Sequence, residues 1–432
     1  MRQRRVLILS DLFPPVFAPR IQAVAKYLPT YGWEPVVATE LVRHQADYVH
    51  TATDSRYKED IPIYRIDFGK NEVGTLRHKL NFLADLVYER RERRMEKALQ
   101  KSLKEKPDVI LCFAYRKFPL RTAARLAKSW GIPWIADCRD IVEQYTDGDF
   151  LPHPITLWGH PLLKLMRSIR ARIISQRNRY LSQANKVITV SPWHRNLLAK
   201  VNPDCHLIYN GYDHEIFSPR LEPHPHFDII YTGRLLSLSM RDPSLLFQAL
   251  ASPELSELVS SSKLHIHWYT DKQSERLLRP VISSYGLETI NTFHEMLPRE
   301  EMARMIQSAA ILLQLSNRES ESGPHGMVST KIFEAMAVRK PVLLVRSDEA
   351  VMEQLIKHTR IGCAARSVRD VISFVRSCHK DWIRQGYTAV LGEQEEIELF
   401  SRKRQVGDFA RLLNEVLDNP KNIRSCPYQS NH

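Results

Sequence analysis

The stretch Ser329-Thr330-Lys331-Ile332-Phe333-Glu334-Ala335-Met336-Ala337-Val338-Arg339-Lys340-Pro341-Val342-Leu343 decides how this chain is read. Ser329 or Thr330 can cap a helix that carries Lys331 and, three residues on, Glu334. The helix ends in a basic turn, Pro341 stops it, and Val342 to Val345 follows as a buried strand. Free N–H groups at the helix start, together with Lys331, make an anion site suited to a diphosphate. Glu334 lies one turn along the same face, where its carboxylate can accept hydrogen bonds from a ribose. The segment therefore suits a nucleotide sugar. It suits a capped surface helix with a Lys–Glu pair equally well, so the rest of the chain has to decide.

Outward from this segment, apolar strand, turn and helix recur. Val6-Leu7-Ile8-Leu9-Ser10 reads as a buried parallel strand, Asp11 to Pro15 as a loop, and Ile21 to Leu28 as a helix. Further strands are expected at Val36 to Ala38, Asp108 to Phe113, Pro133 to Asp137 and Lys186 to Ser191. Several end in a polar residue, where a parallel sheet opens its ligand crevice. A linker at Leu221 to His226 precedes a second set, with strands at Phe227 to Thr232, Leu264 to Trp268, Thr292-Phe293 and Ala310 to Leu315. A helix is expected at Arg299 to Ala309, and a long polar one from about Glu393 to Leu417. The expected division is a first α/β domain over 1–218, a second over 219–390, a C-terminal helix over 391–418 and a tail over 419–432. A chain of 432 residues is long enough for two such cores.

Composition removes several classes. Glycine is scarce, 15 residues, about half the usual share, and neither G-x-G-x-x-G nor G-x-x-x-x-G-K-[ST] occurs. A dinucleotide fingerprint and a Walker loop are thus excluded. The six cysteines form no C-x-x-C pair and show no metal-like histidine spacing, so they read as reduced thiols of a cytosolic protein with no metal site. The N-terminal Met1-Arg2-Gln3-Arg4-Arg5 and its apolar run imitate a signal peptide, but Asp11 interrupts the run and no small-residue cleavage site follows. No apolar run approaches the ~18 residues of a membrane span.

Net charge is +13, from 62 Lys and Arg against 49 Asp and Glu, and the excess lies in the first half. Tyr88 to Lys106 is dense in basic residues. Lys164 to Arg179 holds Lys164, Arg167, Arg170, Arg172, Arg177 and Arg179 and no acid. A solvated face and an anionic membrane surface both fit this pattern, the latter at about 1 kcal/mol per basic residue near the leaflet. Nucleic acid does not fit, because no helix-turn-helix, zinc or base-stacking motif accompanies the charge.

Taken in order, the blocks Ser10 to Pro15, Lys26 to Pro35, Ala136-Asp137-Cys138-Arg139-Asp140, Val187 to Ser191, Ile208 to Asp213, Tyr231-Thr232-Gly233-Arg234-Leu235 and the Glu334 helix resemble a GT-B glycosyltransferase of the family 4 type. The resemblance runs over nearly the whole chain. It implies two Rossmann-like α/β domains facing a central cleft, a C-terminal helix crossing back to the first, and retaining, metal-independent transfer from a nucleotide sugar, UDP-linked, with no cofactor. The acceptor would be a sugar or lipid-linked glycan of cell-surface polysaccharide or glycolipid assembly, and the location the cytoplasm, peripheral at the membrane face.

The resemblance also implies roles. Gly233 and Arg234 follow the first strand of the second domain, where the family places a diphosphate-binding arginine, and Arg241 is the candidate second cation. Two cations there can stabilise the leaving group in place of a metal. Lys331, Ser329 and Thr330 would support the same phosphates, and Glu334 the ribose. The first glutamate of the family's pair would fall at Gly326 and is missing, so His325 and the backbone at Gly326 are expected to face the sugar. Arg139 and Asp140 stand where relatives carry a His-Asp pair. A guanidinium does not deprotonate, so Arg139 would bind a hydroxyl or phosphate rather than act as a base. The glycine pair common after the first strand is replaced by Phe17-Ala18-Pro19-Arg20. A non-catalytic nucleotide-sugar binder and a nucleotide-sugar 2-epimerase on the same scaffold are the alternatives.

Overall fold

The computed structural model describes residues 3–41, 61–69, 81, 84–145, 150, 156–157, 160–238, 240–316, 326, 328–345 and 350–418. Contacts group residues up to Tyr209 with those from Arg402 onward as one unit, and Asn210–Ser401 as a second.

The first unit is built on a seven-stranded sheet. Its strands are β1 (Arg4–Ser10), β2 (Trp33–Glu40), β3 (Ile63–Ile66), β4 (Val109–Tyr115), β5 (Trp134–Asp140), β8 (Lys186–Thr189) and β9 (Cys205–Leu207); β6 (Thr156–Leu157) and β7 (His160–Pro161) form a separate small ribbon. The order is β3-β2-β1-β4-β5-β8-β9, and every neighbouring pair is parallel. Parallel strands covered on both faces need apolar side chains at successive positions, which is why β1 and β4 read as unbroken apolar runs. Alternate residues of β1 feed opposite cores: Leu7 and Leu9 join one cluster, Val6 and Ile8 the other. The second cluster is completed by Val406, Phe409, Leu412, Leu413 and Val416 of the C-terminal helix Arg402–Asp418.

The second unit carries β10 (Phe227–Thr232), β11 (Leu264–Tyr269), β12 (Asn291–His294), β13 (Ile311–Leu315), β14 (Val342–Val345) and β15 (Gly362–Ala365), in the order β12-β11-β10-β13-β14-β15, again all parallel. Phe227, Ile229 and Tyr231 pack with Leu264, Ile266 and Trp268 and with the helices Ser244–Leu250 and Val368–Gln385. Both sheets reverse direction beside their first strand, between β1 and β4 and between β10 and β13. Ligands of open α/β sheets bind beyond the carboxyl ends of the strands at such reversals.

Two expected boundaries differ in the structure. Residues 210–218 group with the second unit: Tyr212 N–H donates to the Phe400 carbonyl at 3.0 Å, and Ser218 accepts from Gln307 Nε2 at 2.8 Å. The single polar helix expected over Glu393 to Leu417 is two, Gln394–Glu398 and Arg402–Asp418. Between them the Phe400 ring packs 5.2 Å from that of Phe333, and the Phe400 carbonyl accepts from the Tyr212 N–H in place of a helical bond. The division between the units falls at that break. The strands β3, β9 and β15 and the helix Val368–Gln385 carry no pattern that the sequence reading used.

Candidate active site

At the second unit's reversal, β10 ends at Thr232 and the chain turns through Gly233 at φ +105°, a region in which side chains are strained. A Cβ at this position would lie 2.1 Å from Lys331 Nζ, so glycine is required twice over, by the backbone and by the lysine seated against it. The Gly233 carbonyl accepts from Thr270 Oγ1 at 2.7 Å, and its N–H donates to the Tyr269 carbonyl at 2.8 Å. The loop beyond it also holds Leu236 at φ 67°. Its Leu235 N–H donates to Ser274 Oγ at 2.9 Å.

Lys331 arrives on the helix Thr330–Val338. Ser329 is the cap; its hydroxyl accepts from the Lys331 N–H at 3.4 Å, and Thr330 is the first helical residue. The ammonium stands 6.0 Å from the centre of the Tyr231 ring. Burial first, and the Arg241 guanidinium second, push its pKa down to about 7, while Glu334 pulls it up. Arg241 is near enough to the Tyr231 hydroxyl to hydrogen-bond it. Arg241, Lys331, Tyr231 and Gly233 are thus one cluster, a concentration of positive charge at the sheet's ligand end. Arg234 Nε lies 3.1 Å from Asp271 Oδ2, and Asp271 caps the next helix by accepting from Ser274 N–H at 2.8 Å. The Arg234 carbonyl accepts from Tyr231 Oη at 3.1 Å.

One turn beyond Lys331, Glu334 faces Arg299, with Oε1 and Nη2 3.9 Å apart. Arg299 Nε and Nη2 are buried and make no hydrogen bond among the described residues, and the guanidinium sits 5.2 Å over the Phe217 ring. Arg299 escaped the sequence reading. As the first residue of a helix after Pro298, followed by Glu300 and Glu301, it resembles an ordinary exposed helix start. Gly326 is buried, with φ +72°. His325 lies outside the described residues.

Arg139 and Asp140 belong to the first unit, at the end of β5 beside the β1/β4 reversal. Arg139 Nε is buried without a hydrogen-bond partner among the described residues. Burial raises the Asp11 carboxyl, with Arg139 and Arg91 opposing the shift. Asp140 accepts from Gln144 Nε2 at 3.3 Å. Asp137 has a bracing role: Arg20 donates to it at 2.6 Å and to the Tyr209 carbonyl at 2.7 Å, which ties the strand end to the point where the chain leaves the unit. The Arg20–Asp137 ion pair thus holds the loop that follows the first strand. His194, also missed, is 1% exposed and has both ring nitrogens unpartnered among the described residues. Burial drives it down to about 4, against the pull of Asp140 and Glu143.

Two sheets of this order, each with its site loop at the reversal, give the chain the GT-B fold of the glycosyltransferases among solved structures. Residues 17–211 match the family model of the glycosyl transferase 4-like domain. Among solved structures, the sucrose-phosphate synthase from Thermosynechococcus elongatus shares the fold with a TM-score of 0.61 at 14% identity, over 96% of this chain and 99% of that one. Anabaena HepE in complex with UDP-glucose gives 0.61 at 16%, over 95% and 99%. The lipopolysaccharide outer core galactosyltransferase WaaB gives 0.54 at 14%, over 95% and 99%. No curated protein sequence matches the chain.

Proposed function

We propose that this chain moves a sugar from a UDP-linked donor to an acceptor hydroxyl, with retention of configuration and without a catalytic metal. The observation that carries the donor assignment is the cation cluster at the second sheet's reversal. Lys331, its ammonium against the Gly233 backbone, and Arg241 bind the diphosphate together with Arg234 and the helix start at Ser329 and Thr330. Glu334, oriented by Arg299, accepts from the ribose hydroxyls. His325 and the Gly326 backbone are assigned to the sugar, and Arg139 and Asp140 to hydroxyls on the acceptor side. HepE is known with UDP-glucose bound, which supports the same donor class here.

In the mechanism, charge grows on the diphosphate as the glycosidic bond breaks, and fixed cations stabilise that charge more strongly in the transition state than in the ground state. The acceptor hydroxyl attacks on the face from which the diphosphate departs, and the departing phosphate takes its proton. The protein supplies position and field, with no nucleophile.

The proposed setting is assembly of a cell-surface polysaccharide or glycolipid, in keeping with the acceptor class in the name of WaaB. No helix among the described residues is long and apolar enough to cross a membrane. The helix Leu163–Leu181 exposes Leu163 and Leu165 beside Lys164 and Arg167, which suits reversible attachment to an anionic leaflet.

The test is UDP binding followed by transfer. Glu334→Ala should weaken UDP-sugar binding by about 1.5–3 kcal/mol, the scale of hydrogen bonds to a charged group. Transfer should proceed without added Mg²⁺ or Mn²⁺. A protein with no affinity for UDP, or with unchanged affinity after Glu334→Ala, is not this enzyme. UDP binding without transfer to any acceptor would favour the non-catalytic reading.

A further inference from the structure

The strand that ends at Gly233 begins in a second cluster. Asp228 opens β10, and the register sets it opposite His265 of β11; His267, two residues on, lies on the same face. Asp228 is 5% exposed. Its Oδ1 is 3.9 Å from His265 Nδ1 and 3.5 Å from His267 Nε2, yet makes no hydrogen bond among the described residues. Its Oδ2 lies 3.3 Å from His224 Nδ1. On the far side, His267 Nδ1 is 2.9 Å from His294 Nε2. In the tautomer in which His267 Nδ1 donates to His294, His267 Nε2 presents a lone pair toward the carboxylate oxygen, as a metal ligand does. A ring with one nitrogen on a metal and the other hydrogen-bonded outward is how ligating histidines are held.

We propose that Asp228, His265 and His267 bind one divalent ion of the zinc class, with His224 and His294 as outer partners. The three donor atoms lie within 4.8 Å of one another. A tetrahedral ion with bonds of about 2.0–2.2 Å sets its donors roughly 3.3 Å apart, so small side-chain rotations close the set, and the open fourth position falls to water. The ion ties β10 and β11 to the linker that carries His224. Thr232, where the donor loop starts, is four residues along the strand from Asp228, about 13 Å at the usual rise. The site therefore stabilises the second unit and takes no part in neutralising the diphosphate.

The experiment uses the full chain without a histidine tag, stripped with EDTA, reloaded with Zn²⁺ or Co²⁺ and passed through gel filtration. Wild type should retain about one ion per chain, show the visible absorption of tetrahedral Co²⁺, and unfold at a higher temperature with Zn²⁺ than without. His267→Gln and His265→Gln should each retain less than about a tenth of that metal. His358→Gln, at an exposed histidine paired with Glu396, should retain it all. UDP affinity should be the same in all four proteins. If His267→Gln does not fold, His265→Gln carries the comparison, since that side chain is 35% exposed. Wild type eluting metal-free, or His265→Gln holding as much metal as wild type, overturns the proposal. So does a cluster stabilised by acid but not by Zn²⁺, which would make it a proton-sharing group.

Discussion

At the scale of single residues, Lys331 is a group of the candidate site whose state changes near neutral pH. Unliganded, its pKa is held near 7 by burial and Arg241. A bound diphosphate favours the charged form and raises that pKa, so binding takes up a proton. The affinity is full below about pH 7 and falls, by up to about tenfold per unit, as pH rises from the free pKa toward the bound one. Calorimetric titration of UDP between about pH 7 and about pH 9 should show this slope, and Lys331→Met should remove it. An affinity flat across that range would mean that the lysine does not meet the diphosphate. Gly233 gives the steric counterpart. Gly233→Ala places a methyl 2.1 Å from Lys331 Nζ on a backbone at φ +105°, strain of about 1–3 kcal/mol before any displacement of the lysine. UDP binding should weaken at least about tenfold, and the thermal midpoint should fall. Wild-type values for both would show that the loop yields freely.

At the scale of elements, the acid-free helix Leu163–Leu181 is less uniformly cationic in space than in sequence. Arg177 is 2% exposed and makes a two-pronged pair with Glu143 at 2.6 and 2.7 Å. Arg170 is half-buried and donates to the Glu143 carbonyl at 3.1 Å. Lys164, Arg167, Arg172 and Arg179 remain exposed, while Met166, Ile169 and Ile173 face the core. Changing Arg167, Arg172 and Arg179 to Gln should therefore reduce co-sedimentation with anionic vesicles at low salt and leave stability within about 0.5 kcal/mol. Arg177→Ala should instead cost about 3 kcal/mol in unfolding, because it strands a partly buried carboxylate. Equal binding to neutral and anionic vesicles would leave the exposed face merely solvated.

At the scale of the molecule, the last helix belongs to the first core although some two hundred residues separate it from that domain's final strand. Val406, Phe409, Leu412, Leu413 and Val416 are buried against Val6, Ile8 and Phe113. Each such side chain contributes about 1.5–3 kcal/mol on burial, and together they are comparable to the 5–15 kcal/mol by which a domain is ordinarily stable. A chain ended after Ser401 should thus lose the first unit's cooperative unfolding transition and expose its core to dye binding and aggregation. Retention of both transitions at their original midpoints would show that the helix is dispensable.

What the sequence determined by itself is what depends on near neighbours. Apolar runs bounded by polar turns marked β1, β4, β10 and β14, and Ser329 with Lys331 and Glu334 marked the helix start, because strand burial and capping are written within a few residues. What tertiary structure decided depends on register between strands far apart in the chain. Gly233 meets Lys331 only because β10 and β13 adjoin and the helix after them returns over the loop. Arg299 reaches Glu334 from another helix, and Asp228 meets the His265-x-His267 pair only because β10 and β11 adjoin in register. The depressed pKa of Lys331 likewise follows from enclosure by the folded chain. Desolvation and charge proximity are properties of what packs around a group, and a linear pattern carries them only where its neighbours in space are also its neighbours in sequence.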